Sequence, residues 1–204
     1  MPGVQGAECE DYDGGATRIE AFLISTGVVA LAEIGDKTQL LALLLAARFR
    51  KPVPIILGIF VATLVNHTLA GAVGAWLGSA VNPATLRWIL GLSFIAIAIW
   101  IMVPDRHDEN ERIASRFGIF GTTLFAFFLL EMGDKTQIAT VALAARFGSL
   151  FAVICGTTAG MLLADVPAVL LGEVAMRKLP MRLVHGIAAV IFLALGIVVL
   201  CAPV

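Results

Sequence analysis

The chain has 204 residues, 59% of them hydrophobic and 14% charged, and its mean hydropathy is +0.95. A soluble domain is about 45–50% apolar and about 25% charged, so neither a soluble enzyme nor a disordered chain fits, and a polytopic membrane protein does. Fourteen basic against fifteen acidic residues give a net charge of −1, which offers no nucleic-acid surface, and Cys9, Cys155 and Cys201 lie too far apart for a disulfide framework or a zinc site.

Residues 1–20 are polar and acidic, with Glu8, Glu10, Asp11, Asp13 and Glu20 against Arg18 alone. A secretory signal opens on a basic region, so this stretch reads as a short mobile tail. A membrane-spanning helix needs about 20 mainly apolar residues. Six segments qualify, near 21–47, 53–79, 85–103, 117–147, 149–175 and 183–202. They are separated by the charged, proline-containing stretch Arg48–Pro54, the turn dipeptide Asn82-Pro83, the polar stretch Pro104–Arg116, the turn Arg146–Ser149 and the basic stretch Arg177–Arg182. Several segments are longer than a straight crossing requires, and tilting or a break near Gly35 and Gly133 accounts for the excess. Trp76, Trp88 and Trp100 fall near helix ends and read as interface anchors, and Glu173 falls near a membrane boundary. Gly71, Gly74 and Gly78 read as close-packing positions.

Basic residues set the orientation. Arg48, Arg50, Lys51, Arg106, Arg112, Arg116, Arg177, Lys178 and Arg182 fall on one side, and Arg18, Arg87 and Arg146 on the other. Nine against three places both termini outside the cytoplasm.

Residues 33–49 read EIGDKTQLLALLLAARF, and residues 131–147 read EMGDKTQIATVALAARF; 11 of the 17 positions are identical at an offset of 98. Phe22 with Phe120, Gly58 with Gly156, Gly74 with Gly172 and Phe94 with Phe192 continue the match without a gap. The chain is thus a duplicated three-helix unit. Three is odd, so the second copy enters the membrane from the opposite side, as in inverted-repeat transporters. The expected architecture is all-α: a tail at 1–20, a first repeat over 21–103, a cytoplasmic linker at 104–116 and an inverted second repeat over 117–204.

Glu33 and Asp36 lie thirteen to sixteen residues into the first span, and Glu131 and Asp134 occupy similar places in the fourth. At about 1.5 Å per residue this is close to the bilayer centre, where each charge costs at least about 2.5–3.5 kcal/mol. Four carboxylates, with Lys37 and Lys135, must therefore face one another or a water-filled cavity. On a continuous helix, residues at i and i+3 share a face, so each Glu–Asp pair can point into one site. Lys37 and Lys135 supply charge balance, and Glu33–Lys37 and Glu131–Lys135 salt bridges are the purely structural alternative. Gly35 and Gly133 suit either close helix crossing or local unwinding. Thr38, Gln39, Thr136 and Gln137 add neutral oxygen ligands. The charges sum to −2, which one divalent cation or two protons would neutralise. An all-oxygen donor set suits Ca²⁺, Mn²⁺ or Mg²⁺ rather than Zn²⁺ or Cu⁺. Competition between the cation and protons for the same carboxylates is the minimal logic of an antiporter. His67 and Asp165, equivalent at the offset of 98, are candidates for a proton path. Asn66 beside His67 reads as a helix contact.

Two copies of E-x-G-D-K-T, here Glu33–Thr38 and Glu131–Thr136, resemble the Ca²⁺/Mn²⁺–proton exchanger family, which includes Golgi and chloroplast cation exchangers and bacterial manganese exporters. The resemblance covers nearly the whole chain past residue 20. It implies that the two acidic pairs bind the cation, that a proton gradient drives Mn²⁺ or Ca²⁺ export, and that H⁺ is the counter-ion. It also implies a multi-pass protein of a bacterial plasma membrane, surrounded by lipid, with no organic cofactor and no enzyme activity. Three other functions compete with this one. An intramembrane aspartyl protease requires G-x-G-D, but glutamate stands where its first glycine belongs. A passive cation channel lacks dependence on a pH gradient. A carrier of small organic cations requires an aromatic-lined cavity.

Overall fold

The computed structural model describes residues 7–102, 117–176 and 181–201, with side chains at 18–102, 117–171, 183 and 185–201. Among the described residues the chain forms eight helices: α1 (Ala7–Glu33), α2 (Lys37–Phe49), α3 (Pro52–Ala80), α4 (Pro83–Ile101), α5 (Gly118–Glu131), α6 (Lys135–Phe147), α7 (Leu150–Met176) and α8 (Met181–Cys201). The linker at 104–116, the basic side chains of 177–182 and the side chain of Glu173 lie outside the described residues.

The first and fourth expected spans are each two half-helices. α1 stops at Glu33 and α2 starts at Lys37; α5 stops at Glu131 and α6 starts at Lys135. Gly35 and Gly133 have φ of 84° and 77°, the left-handed region that ends helices and that side chains resist. The motif glycines therefore unwind the chain. Asp36 and Asp134 then occupy the N-cap positions of α2 and α6.

Residues 7–20 are not a separate tail, because α1 reaches back to Ala7. In sequence, Glu8, Glu10, Asp11 and Asp13 fall near this N-terminus, where a helix favours negative charge. The Asn82-Pro83 turn is a helix start: the Asn82 side chain accepts from the N–H groups of Ala84 (2.8 Å) and Thr85 (3.3 Å), and Pro83 takes the first helical position.

The halves interlock. α1 packs on α7 and α5 on α3, while α3 also packs on α6, α7 on α2, and α4 on α8. Gly58 meets Phe120 and Thr123, and Gly156 meets Phe22 and Ser25, so closely that a Cβ would lie 2.7 Å from Thr123 in the first case and 2.5 Å from the Phe22 carbonyl in the second. These are the same contacts at the offset of 98, and they explain glycine at both positions. Phe94 touches its own equivalent, Phe192, with ring centroids 6.1 Å apart.

Burial runs opposite to that of a soluble domain. Glu33, Asp36, Thr63, Asn66, Glu131, Asp134 and Asp165 are buried, while Trp76, Trp88, Trp100 and Phe151 face outward, Phe151 being 79% exposed. Two apolar clusters flank this polar centre. One joins α1, α4, α6, α7 and α8 around Phe94 and Phe192; the other joins α2, α3, α5 and α7 around Leu45, Ile59 and Phe127. Among the described residues, Pro52–Ala80, Pro83–Ile101 and Leu150–Leu171 are long and apolar enough to cross a membrane, with Gly118–Glu131 and His185–Cys201 as shorter apolar helices.

Candidate cation site

Each break is built by its own motif. The Asp36 N–H donates to the Glu33 carbonyl and the Asp134 N–H to the Glu131 carbonyl, both at 3.0 Å. Gln39 Oε1 accepts from the Gly35 N–H (2.8 Å) and Gln137 Oε1 from the Gly133 N–H (2.7 Å). This is a relative of the capping box, in which the third helical residue reaches back to an unpaired donor. Gln39 Nε2 also donates to the Ala164 carbonyl of α7 at 2.9 Å. The two glutamines therefore brace the breaks through the side-chain oxygens expected to serve as neutral ligands.

The aspartates make no side-chain capping bond, because each is taken by the opposite half. Lys135 Nζ donates to Asp36 Oδ1 at 2.6 Å, and Lys37 Nζ lies 3.2 Å from Asp134 Oδ1. The two ion pairs are equivalent at the offset of 98. They stand in place of the Glu33–Lys37 and Glu131–Lys135 pairs of the purely structural alternative, since the i, i+4 geometry fails where the helix is interrupted. They are unequal in burial: the Lys135 side chain is 6% exposed and that of Lys37 is 32% exposed.

Carboxylate oxygens of Glu33, Asp36 and Asp134 all lie within 4.8 Å of one another, and all three residues are buried. Twice a Ca²⁺–oxygen distance of about 2.3–2.6 Å spans such a cluster, so one hard cation can touch all three. Thr38 Oγ1 donates to Glu33 Oε2; Glu33 Oε1 and Asp134 Oδ2 are buried with no hydrogen-bond partner. Thr136 Oγ1 is likewise buried and unbonded, which leaves it available as a neutral ligand.

Glu131, expected as the fourth member, stands outside this cluster. Its Oε1 accepts from Thr63 Oγ1 at 3.0 Å and its Oε2 from Asn66 Nδ2 at 3.3 Å. Thr63 and the role of Asn66 escape a search for ionisable motifs, because both are neutral residues of α3.

Asp165 on α7 is fully buried with neither oxygen hydrogen-bonded, and it lies close enough to interact electrostatically with Glu33, Glu131 and Asp36. His67 is as buried, with neither ring nitrogen bonded. A further residue absent from the sequence reading is His185 of α8, whose Nε2 lies 3.2 Å from the Ile34 carbonyl. It covers the first break, where Ile34 and Gly35 are partly buried; at the second break Met132 and Gly133 are exposed.

Comparison with known proteins identifies the family of the chain. The family model described as divalent cation/proton antiporter GDT1 matches residues 21–109 and 119–203, the two halves found from the repeat. A Vibrio cholerae serotype O1 protein named "Putative manganese exporter" is 50% identical over 180 residues, covering 88% of this chain and 90% of the relative. GDT1-like protein 3 of Oryza sativa subsp. indica is 29% identical, covering 87% and 72%, and a GDT1-like protein of Synechocystis is 27% identical, covering 88% and 96%. No solved structure matches the chain. The chain is a multi-pass membrane transporter, not an enzyme, and it belongs to the GDT1 divalent cation/proton antiporter family.

Proposed function

We propose that this protein exports Mn²⁺, or Ca²⁺, from the cytoplasm in exchange for protons, and that the ion binds between the two helix breaks. The observation that carries the reading is the buried Glu33, Asp36 and Asp134 cluster, drawn from both repeats, in a chain whose family exchanges divalent cations for protons. The name of the Vibrio cholerae relative favours Mn²⁺, and an all-oxygen donor set accommodates it.

In this reading the half-helix pairs α1–α2 and α5–α6 are each one broken span. Six spans form two inverted repeats, with the linker 104–116 cytoplasmic and both termini outside. The reciprocal pairs Asp36–Lys135 and Lys37–Asp134 support a two-fold relation, and the distribution of basic residues supports the orientation. Irregular backbone at membrane depth is tolerated where protein buries it or water reaches it, and both breaks lie at the buried carboxylates. The cation enters from the cytoplasm as protons leave the carboxylates, and protons from outside displace it. Asp165, beside the cluster, and His67, its equivalent on α3, are the candidates for the proton path.

The test is Mn²⁺ and Ca²⁺ flux in proteoliposomes with and without an imposed pH gradient. Saturable flux that needs the gradient and moves protons the opposite way is the expected outcome. Flux that ignores the gradient would make the protein a passive conductor.

A further inference from the structure

The two motif glutamates are chemically identical and equivalent by the repeat, yet they are held differently. Glu131 is gripped by two donors of α3, Thr63 and Asn66. The positions equivalent to Thr63 and Asn66 in α7 are Met161 and Ala164, neither of which has a side-chain donor. Glu33 takes its hydrogen bond from Thr38 of its own motif and keeps one oxygen unbonded inside the carboxylate cluster. Asn66 Nδ2 also donates to the Phe128 carbonyl at 3.2 Å. Phe128 is among the last four residues of α5, whose carbonyls lack regular helical partners. One side chain thus ties the end of α5 to the carboxylate of Glu131.

We propose that Thr63 and Asn66 are positioning residues that hold Glu131 out of the cation site, so that in this conformation the ion is held by Glu33, Asp36 and Asp134. The inference rests on the reading of that cluster as the cation site. Hard-cation affinity depends on the number of charged ligands, so holding one carboxylate back gives a site of intermediate strength. An ion bound by all four would leave slowly. The repeat makes the pair of glutamates, and the divergence of α3 from α7 makes their roles unequal.

The test is Mn²⁺ binding to the purified full chain, measured by equilibrium titration, with KM and kcat for Mn²⁺ transport in proteoliposomes. Glu33→Gln and Asp134→Asn should each weaken binding by at least about tenfold, while Glu131→Gln leaves it within about twofold and abolishes turnover. Thr63→Val combined with Asn66→Leu should free Glu131, tighten binding by about tenfold and lower KM and kcat together. Thr63→Ser, which keeps the hydroxyl, should behave as wild type. The reciprocal pair Met161→Thr with Ala164→Asn gives Glu33 the donors that Glu131 has, and should weaken binding without touching the α3 contacts. It decides the matter if the α3 double variant does not fold. Unchanged or weaker binding in the α3 double variant, unchanged binding in the α7 pair, or a loss in Glu131→Gln equal to that in Glu33→Gln would overturn the inference. Wild-type binding in both Glu33→Gln and Asp134→Asn would instead overturn the reading of the cluster itself.

Discussion

The two helix breaks are built from nearly the same six residues and differ in what surrounds them. At the first, Glu33 reaches the carboxylate cluster, the Ile34 carbonyl meets His185, and the backbone is partly covered. At the second, Glu131 is turned to Thr63 and Asn66, and Met132 and Gly133 are exposed. α8 packs against α1, which is what carries His185 to the first break. A repeated motif therefore fixes the local turn, and the neighbouring helices decide what each copy does. Functional asymmetry in a duplicated transporter is to be sought in the divergent positions that face the motifs.

The largest effect should come from removing a cluster carboxylate. Asp134→Asn or Glu33→Gln should abolish Mn²⁺/H⁺ exchange while the protein still reaches the membrane; normal exchange in either variant would remove these groups from the transport step. Next come the lysines, which separate the halves by burial. Lys135→Ala removes a buried ion pair with Asp36 and should cost several kcal/mol, about 3 or more. Lys37 is partly exposed, so water screens its charge and Lys37→Ala should cost less, although it too leaves a buried carboxylate, Asp134, behind. Thermal unfolding in detergent would show Tm falling further for Lys135→Ala, and equal falls would break the comparison.

Backbone conformation gives a smaller effect. Gly133→Ala meets no atom within 4 Å, so its cost is the left-handed conformation alone, about 1–2 kcal/mol. It should favour running α5 into α6, and slowed transport with a modest drop in Tm is expected. The smallest effect belongs to His185→Ala, which removes one hydrogen bond worth about 0.5–1.5 kcal/mol. Hydrogen exchange should quicken at residues 34–36 and stay unchanged at 132–134. Equal change at both breaks would mean that His185 does not act locally.

Much of this molecule is legible in its sequence. The duplication, the membrane class and the buried acidic motifs follow from composition and from the offset of 98. Over-long segments fit either tilting or breaks near Gly35 and Gly133, and the positive φ values select the breaks. Helical spacing is no guide where the helix stops: the alternative pairing of Glu33 with Lys37 gives way to Lys37 with Asp134, because four residues across a turn are not neighbours on one face. The cross-pairing of Lys37 with Asp134 and Lys135 with Asp36 depends on how the halves dock, which no local pattern encodes. Thr63 and Asn66 did leave a signal. A repeat comparison that flags polar residues standing opposite apolar ones, Thr63 against Met161 and Asn66 against Ala164, would have found them. The start of α1 at Ala7 is not legible from hydropathy, because its first residues lack an apolar stripe.

The central claim is that one hard cation sits between the two breaks, shared by carboxylates of both repeats. Anomalous scattering from Mn²⁺ in crystals of the full chain tests it directly. A single strong peak among Glu33, Asp36 and Asp134, with Glu131 still bonded to Thr63 and Asn66, is the outcome expected. A peak centred on Glu131 instead, or ions confined to the outer surface, would show that the buried cluster is not where the cargo binds.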